Sequence, residues 1–429
     1  MNSYWWYRPS RIALVLMMPI AFFAYTASNR FYQQFGAFNA ITGEDFFLAW
    51  LSIASFAAAS WFGEVLNTGP RKQYAFLRGD NYRPLLFVLV AVATAAALVL
   101  LLPVLTDPQL ISRILQGDTG AAYLARDKVD KIPGVTSQQN LFSLIVVLLM
   151  LRQHLTGRRR TKGENLVLGF VIGLAAVKAV LHSERLALIE LLLPLGILAG
   201  GMRRRSIVWG IAPILGVVAL FFFFMITESL RSWAFYADNM DSLFEFALAR
   251  LIGYYITAVN NGAFVYNGGH SYFFPVLSAG WLWRFPIPGL DTYWASITGA
   301  TVDPETLLAG LNVEFDNISG IFAPLIDFGP VGGVIVWIIL GYMSGRLFRR
   351  FVEGDVLGLI LFPTWYVGVL EVSRVLYWGD SRYLPPLVIS LLVTLIFKPR
   401  GTTSGRRQAT SNRMYQRTLQ TSAKTGLPG

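Results

Sequence analysis

Apolar residues run in long uninterrupted blocks along the chain, near 12–28, 45–62, 84–105, 138–153, 165–181, 186–202, 207–226, 329–348, 356–376 and 383–397. None of these blocks alternates polar and apolar residues as a half-buried strand would. Most reach the roughly 20 residues with which a helix crosses about 30 Å of hydrocarbon. The pattern predicts an all-α polytopic membrane protein of about ten transmembrane helices, the fourth and tenth short for a span. Between the seventh and eighth blocks it breaks for about a hundred residues. Segment 228–328 holds four tryptophans, six tyrosines, three arginines, His270 and several carboxylates. One large polar-aromatic excursion on a membrane protein is the natural place for its chemistry.

Inside that loop Ser242 and Glu245 have the spacing of a capping box that opens a helix to about Val259. Arg250, Tyr254, Thr257 and Asn261 fall at i, i+4, i+7 and i+11, on one face. The expectation is an amphipathic helix lying on the membrane with a hydrogen-bonding edge. Downstream, Gly280-Trp281-Leu282-Trp283-Arg284-Phe285-Pro286-Ile287-Pro288-Gly289 reads as a rigid aromatic loop that proline keeps from continuing as helix. The first apolar block follows Tyr4-Trp5-Trp6-Tyr7-Arg8, an interfacial anchor rather than a cleavable signal. Residues 1–398 form one membrane domain; 399–429, rich in Thr, Ser, Gly and Arg, reads as a disordered basic tail beside anionic headgroups.

Composition agrees: 54% of residues are hydrophobic and only 14% charged. Charge placement adds an orientation. Most of the 36 lysines and arginines fall on one side if the N-terminus is cytoplasmic: Arg8 and Arg11, Arg71 to Arg83, Arg152 to Lys162, Arg203 to Arg205, Arg346 to Arg350, and the tail. Basic residues resist translocation, so both termini are expected in the cytoplasm and the large loop outside. The net charge of +11 is then a topology signal and implies no nucleic-acid partner. The chain has no cysteine, which excludes disulfides, thiolate catalysis and zinc ribbons. His154, His182 and His270 are far apart in sequence and form no metal motif.

Charges within the apolar blocks are costly and mark either internal pairs or a site. Lys178, His182, Glu184 and Arg185 with Glu190 form one group at a tight outer hairpin. Glu371 and Arg374, at i, i+3, form a second, followed by Asp380 and Arg382. Asp327-Phe328-Gly329 at the start of the eighth block is a third. Two roles compete for these residues, helix-register ion pairs and ligand contacts. Gly341-xxx-Gly345 points to close helix packing.

Several segments together resemble the Wzy-type O-antigen polymerases, which polymerise oligosaccharide repeat units. Ser183-Glu184-Arg185-Leu186 is similar to that family's Ser-x-Arg entering an apolar helix, and Trp283-Arg284-Phe285-Pro286 to its Pro/Arg/Phe-rich outer stretch. The run from Leu311-Asn312-Val313 through Phe322 and Pro324 to Asp327-Phe328-Gly329-Pro330-Val331-Gly332-Gly333 resembles its loop-to-helix pattern. The likeness is spread over about 160–350. The arginine-plus-glycine repeats of some members have no clear counterpart here.

The resemblance implies a glycosyltransferase that moves a growing glycan from an undecaprenyl pyrophosphate carrier onto a fresh lipid-linked repeat unit. It also implies membrane lipids and a chain-length-regulating copolymerase as partners, and no cofactor or metal. Such chemistry asks for fixed cations at headgroup level, which arginine supplies as a planar fork for phosphate oxygens. Arg185, Arg231, Arg250, Arg284, Arg374 and Arg382 are the candidates for that clamp. His270, Glu314, Asp316 and Asp327 are candidates for the catalytic base, and Tyr254, Trp281 and Trp283 for sugar-stacking faces. An O-antigen ligase-like transferase would share the donor chemistry. A lipid-linked oligosaccharide flippase is the contrasting non-enzyme reading, against which the long loop and the lack of an internal repeat both count.

Overall fold

The computed structural model describes residues 3–66, 82–116, 134–157, 159–181, 186–202, 206–231, 240–269, 275–283 and 312–396, with isolated residues between them. All regular structure among these is helical. In chain order the longer helices are α1 (Pro9–Thr26), α2 (Gly43–Val65), α3 (Tyr82–Leu105), α4 (Pro108–Leu115), α5 (Leu141–Thr156) and α6 (Lys162–Leu181). They continue with α7 (Leu186–Met202), α8 (Ile207–Arg231), α9 (Leu243–Gly268), α10 (Ala323–Glu353), α11 (Val356–Glu371) and α12 (Leu384–Ile396). Among the described residues six are long and apolar enough to cross a membrane: α1, α2, α3, α6, α8 through Ser229, and α10. Three shorter apolar helices, α7, α11 and most of α12, pack with them.

The outer surface carries the membrane signature. Phe87, Leu166, Ile207 and Val331 are more than 70% exposed, and Phe23, Phe47, Trp61 and Leu102 are exposed as well. In water such a surface would drive aggregation, whereas hydrocarbon solvates it. Only 6% of α8's apolar window is buried, so α8 lies at the periphery. By contrast Leu144 to Leu148 of α5 are fully enclosed. The helix that looked short for a span is a central one with protein on every side.

Helices α2 and α10 form the most extensive contact, made possible by small residues. A Cβ on Gly63 would come 2.7 Å from the Tyr342 carbonyl oxygen, and one on Gly341 or Gly345 would strike the carbonyls of Phe56 and Ser60. The Gly-xxx-Gly spacing therefore does what it predicts, letting two backbones approach directly. Trp337 plugs the same seam, donating from its indole to the Ile321 carbonyl at 3.1 Å. α10 also turns sharply near its start. Gly329 has φ +70°, ψ −179°, and Pro330 follows. Only glycine takes that conformation without strain.

α9 departs from the reading of a helix lying on the membrane. Ser242 caps it as expected, accepting from the Glu245 N–H at 3.1 Å, but it runs to Gly268. Its polar face points into the protein: Arg250, Thr257 and Asn261 are buried, while Phe244, Leu248 and Ile252 are exposed. Polar groups surrounded by apolar solvent turn inward, so the same periodicity specifies the opposite burial. Asparagines stitch α9 in place. Asn260 donates to the Phe38 carbonyl and accepts from the Ala40 N–H, Asn261 donates to the Phe315 carbonyl at 2.6 Å, and Asn267 donates to Asp45 at 2.9 Å.

Candidate functional site

The charged groups that the sequence scatters over five helices gather at one end of the bundle. There α9 packs against the close of α8, the start of α10 and the segment after α11. Arg250 projects from α9 into the middle of this region. Its Nε lies 2.7 Å from a Glu228 carboxylate oxygen, and its Nη2 donates to Glu314 at 2.8 Å and to the Tyr254 hydroxyl at 3.3 Å. The rings of Phe315, Phe246 and Tyr254 lie 5.0, 5.4 and 5.7 Å from its guanidinium carbon. Burial would lower the Arg250 pKa, but Tyr254, Glu228 and Glu314 outweigh it and the pKa is raised. The guanidinium stays charged between two carboxylates, a buried ion triad rather than an open anion receptor.

Tyr254 links this triad to a second arginine. Its ring lies 6.0 Å from the guanidinium carbon of Arg374, whose Nη1 donates to Glu371 at 3.1 Å. Glu371 also accepts from the Tyr255 hydroxyl at 3.5 Å. Arg374 differs from Arg250 in exposure: its side chain is 28% exposed against 1%. Its Nε finds no hydrogen-bond acceptor among the described residues. Arg374 is thus oriented from one side by Glu371, with its Nε buried and part of its side chain exposed.

The polar band continues beyond Arg374 to the next carboxylate. The hydroxyl of Tyr377 donates to Glu190 of α7 at 2.8 Å. A narrow cleft beside it is lined by Gln139, Asn140, Ser143, Lys178 and Glu190, with apolar groups of α3 and α6 as its other wall. Asn140 donates to the Arg382 carbonyl at 2.9 Å, and the Arg382 side chain stands 4.0 Å from Asp380.

Asp327 occupies a different position. It is fully buried at the start of α10, and its carboxylate accepts from the backbone N–H groups of Leu277, at 3.0 Å, and Ser278, at 2.6 Å. It holds the turn 276–279 that leads into the short helix Gly280–Trp283. That geometry makes it a brace for the aromatic segment, with no open face toward an acceptor hydroxyl.

The structure therefore brings Arg250, Tyr254, Glu314 and Arg374 together, with Arg382 near the cleft. Asp316 is exposed, one residue beyond Phe315, and Trp281 is half-buried. His270, Arg185 and Arg284 lie outside the described residues, as do the side chains of Arg231 and Trp283. Glu228, Tyr255 and Tyr377 join the network without having stood out as site residues. Glu228 meets Arg250 from a neighbouring helix, and Tyr377 meets Glu190 from far along the chain; neither pairing has a periodic signature. Among the described residues no group of three or more His, Cys, Asp or Glu could hold a metal ion.

Taken together, the chain is an all-α membrane protein with several apolar spanning helices and a buried polar network at one end. Scans against protein-family models, curated proteins and solved structures find no match to it.

Proposed function

We propose that the protein is a glycosyltransferase that polymerises undecaprenyl-pyrophosphate-linked oligosaccharide repeat units on the periplasmic face of the inner membrane. In this reading the chain crosses the membrane about ten times, both termini are cytoplasmic, and the polar end of the bundle faces the periplasm. The observation that carries it is Arg374: a guanidinium fixed by Glu371 beside the Tyr254 ring, on a side chain that stays 28% exposed. A fixed, partly exposed guanidinium at headgroup level is what a departing lipid pyrophosphate requires.

The chemistry assigns distinct tasks. The acceptor sugar's hydroxyl oxygen attacks the anomeric carbon of the donor glycan. The bond from that carbon to the pyrophosphate oxygen breaks, its electron pair leaves with the carrier, and the hydroxyl proton passes to a base. Arg374 stabilises the charge growing on the leaving oxygen. Tyr254 offers a ring face to a sugar. Asp316 is exposed, while Glu314 is tied to Arg250 and Asp327 to two backbone N–H groups; the base is one of Asp316, Glu314, Asp327 and His270. Arg250 acts by positioning Glu314 and Tyr254 rather than by binding phosphate.

The test is a complementation in the host that carries the gene. Loss of the protein should leave single lipid-linked repeats and capped short products. Restoration by Arg374→Lys should return a folded, membrane-inserted protein but little long polymer, because an ammonium lacks the fork. Long polysaccharide of normal length in the deletion strain would refute the polymerase reading. A full ladder from Arg374→Lys would remove that arginine from the site.

A further inference from the structure

At the opposite end of the bundle, away from Arg374 and its neighbours, α1, α2 and α10 leave an open recess of about 410 Å³. Its rim carries Arg8, Arg11 and Arg349, with Trp5 and Phe348 beside them and Glu64 as its acidic member. One carboxylate oxygen of Glu64 accepts from the Ser10 N–H at 3.1 Å and from the Ser60 hydroxyl at 3.3 Å. Arg349 donates to Glu353 at 2.7 Å. Arg8 and Arg11 have no such partner among the described residues. Among the described residues the recess is therefore net cationic, with Arg8 and Arg11 set against the single carboxylate of Glu64.

Its depth in the membrane is marked independently. The indoles of Trp5 and Trp6 donate to the carbonyls of Gly210 and Trp209 at 3.0 and 2.8 Å, gathering three tryptophans at this level. Tryptophan collects where hydrocarbon meets headgroups. Val65 of α2 lines the recess, and about one turn farther along the same helices Leu14 and Val15 of α1 and Trp61 and Phe62 of α2 are exposed. Tyr342 of α10 is exposed too, its ring centroid 6.3 Å from that of Phe62. A ligand here meets cations at its head and bare apolar surface below.

From this we infer that the recess is a binding site for an anionic phospholipid, its phosphate on Arg8 and Arg11 and its acyl chains along Leu14, Val15, Phe62 and Tyr342. A soluble phosphate compound would satisfy the arginines but not the apolar walls. The lipid is a resident of the bundle's N-terminal end and is separate from any lipid-linked substrate at the other end.

The experiment uses the full chain purified in mild detergent. Phosphatidylglycerol and phosphatidylcholine are titrated in separate arms, with binding read by native mass spectrometry. Inorganic pyrophosphate forms a third arm. The wild type should take up phosphatidylglycerol at least tenfold more tightly than phosphatidylcholine, with the preference falling as salt rises. The double variant Arg8→Gln, Arg11→Gln should lose roughly thirtyfold in phosphatidylglycerol affinity, since each basic group near an anionic headgroup contributes about a fivefold factor. Equal uptake of the two lipids by the wild type overturns the inference without any variant. Binding of pyrophosphate in place of the lipid overturns the lipid assignment. Unchanged affinity in a double variant that still melts as the wild type does removes the two arginines from the site.

Discussion

Glu228 and Arg250 form an ion pair of 2.7 Å in which both side chains are shut off from solvent. With Glu314 on the other edge of the guanidinium, α8, α9 and the segment before α10 are tied at one point. Removing the arginine takes the guanidinium away from the fully buried Glu228 and the partly exposed Glu314, which costs far more than the intact pair contributes, about 3–5 kcal/mol. Arg250→Ala should therefore fail in thermal unfolding of the detergent-solubilised protein, with a large drop in melting temperature. Arg250→Ala together with Glu228→Gln and Glu314→Gln should recover part of it. A single variant that melts like the wild type would show that the triad braces nothing.

The seam between α2 and α10 gives a prediction that concerns packing alone. A Cβ on Gly63 would sit 2.7 Å from the Tyr342 carbonyl oxygen and 3.0 Å from the Arg346 backbone nitrogen. Neither is the far end of a flexible side chain, so the helices must part. Gly63→Val should cost roughly 1–3 kcal/mol, the range for overpacking a fitted contact, and Gly345→Val at least as much. Gly210→Val on α8, where an added Cβ meets nothing within 4 Å, is the control and should melt normally.

These contacts separate what the sequence discloses from what it conceals. Uniform apolar blocks mark helices such as α3 and α8 because hydrocarbon length alone sets them. Gly341-xxx-Gly345 and the i, i+3 pair Glu371–Arg374 were equally visible, since the members of each pair lie within one turn or so of chain. The same blocks do not say which helix faces lipid and which faces protein: α5 and α8 are alike in composition, yet one is enclosed and the other peripheral. α9 was legible as an amphipathic helix, but its direction was not, because periodicity gives a polar face without saying what surrounds it. Partners drawn from different helices, such as Glu190 with Tyr377, are set by tertiary packing and leave no local trace.

Asp327 makes the case for a bracing carboxylate. It accepts from two consecutive backbone N–H groups, Leu277 and Ser278, while fully buried. Asp327→Ala leaves those donors without an acceptor, each at about 1–3 kcal/mol if they stay buried. The cheaper response is local: the turn 276–279 releases. Limited proteolysis from the loop side should then cut near 270–290 much faster in Asp327→Ala than in the wild type, while the bundle's melting temperature moves little. Asp327→Asn, which keeps one acceptor oxygen, should fall between. Equal cleavage rates in all three proteins would dismiss the brace.

The bond from the Tyr377 hydroxyl to Glu190, 2.8 Å long and buried, joins the segment after α11 to α7 beside the polar cleft. Tyr377→Phe removes the donor of this buried hydrogen bond, at a cost of about 1–3 kcal/mol. Burial first, then Glu190, pushes the Tyr377 hydroxyl well above its ordinary range. A tyrosine raised in the folded state contributes stability that is complete below the unfolded pKa, near 10, and is lost only as pH climbs through the higher folded value. The stability difference between wild type and Tyr377→Phe should therefore be flat from about pH 6 to 9 and shrink only in stronger alkali. A double-mutant cycle with Glu190→Gln isolates the pair, since contacting residues that share a bond are not additive. A coupling near zero, or a difference that falls away already between pH 6 and 9, would mean that this bond does not hold the cleft.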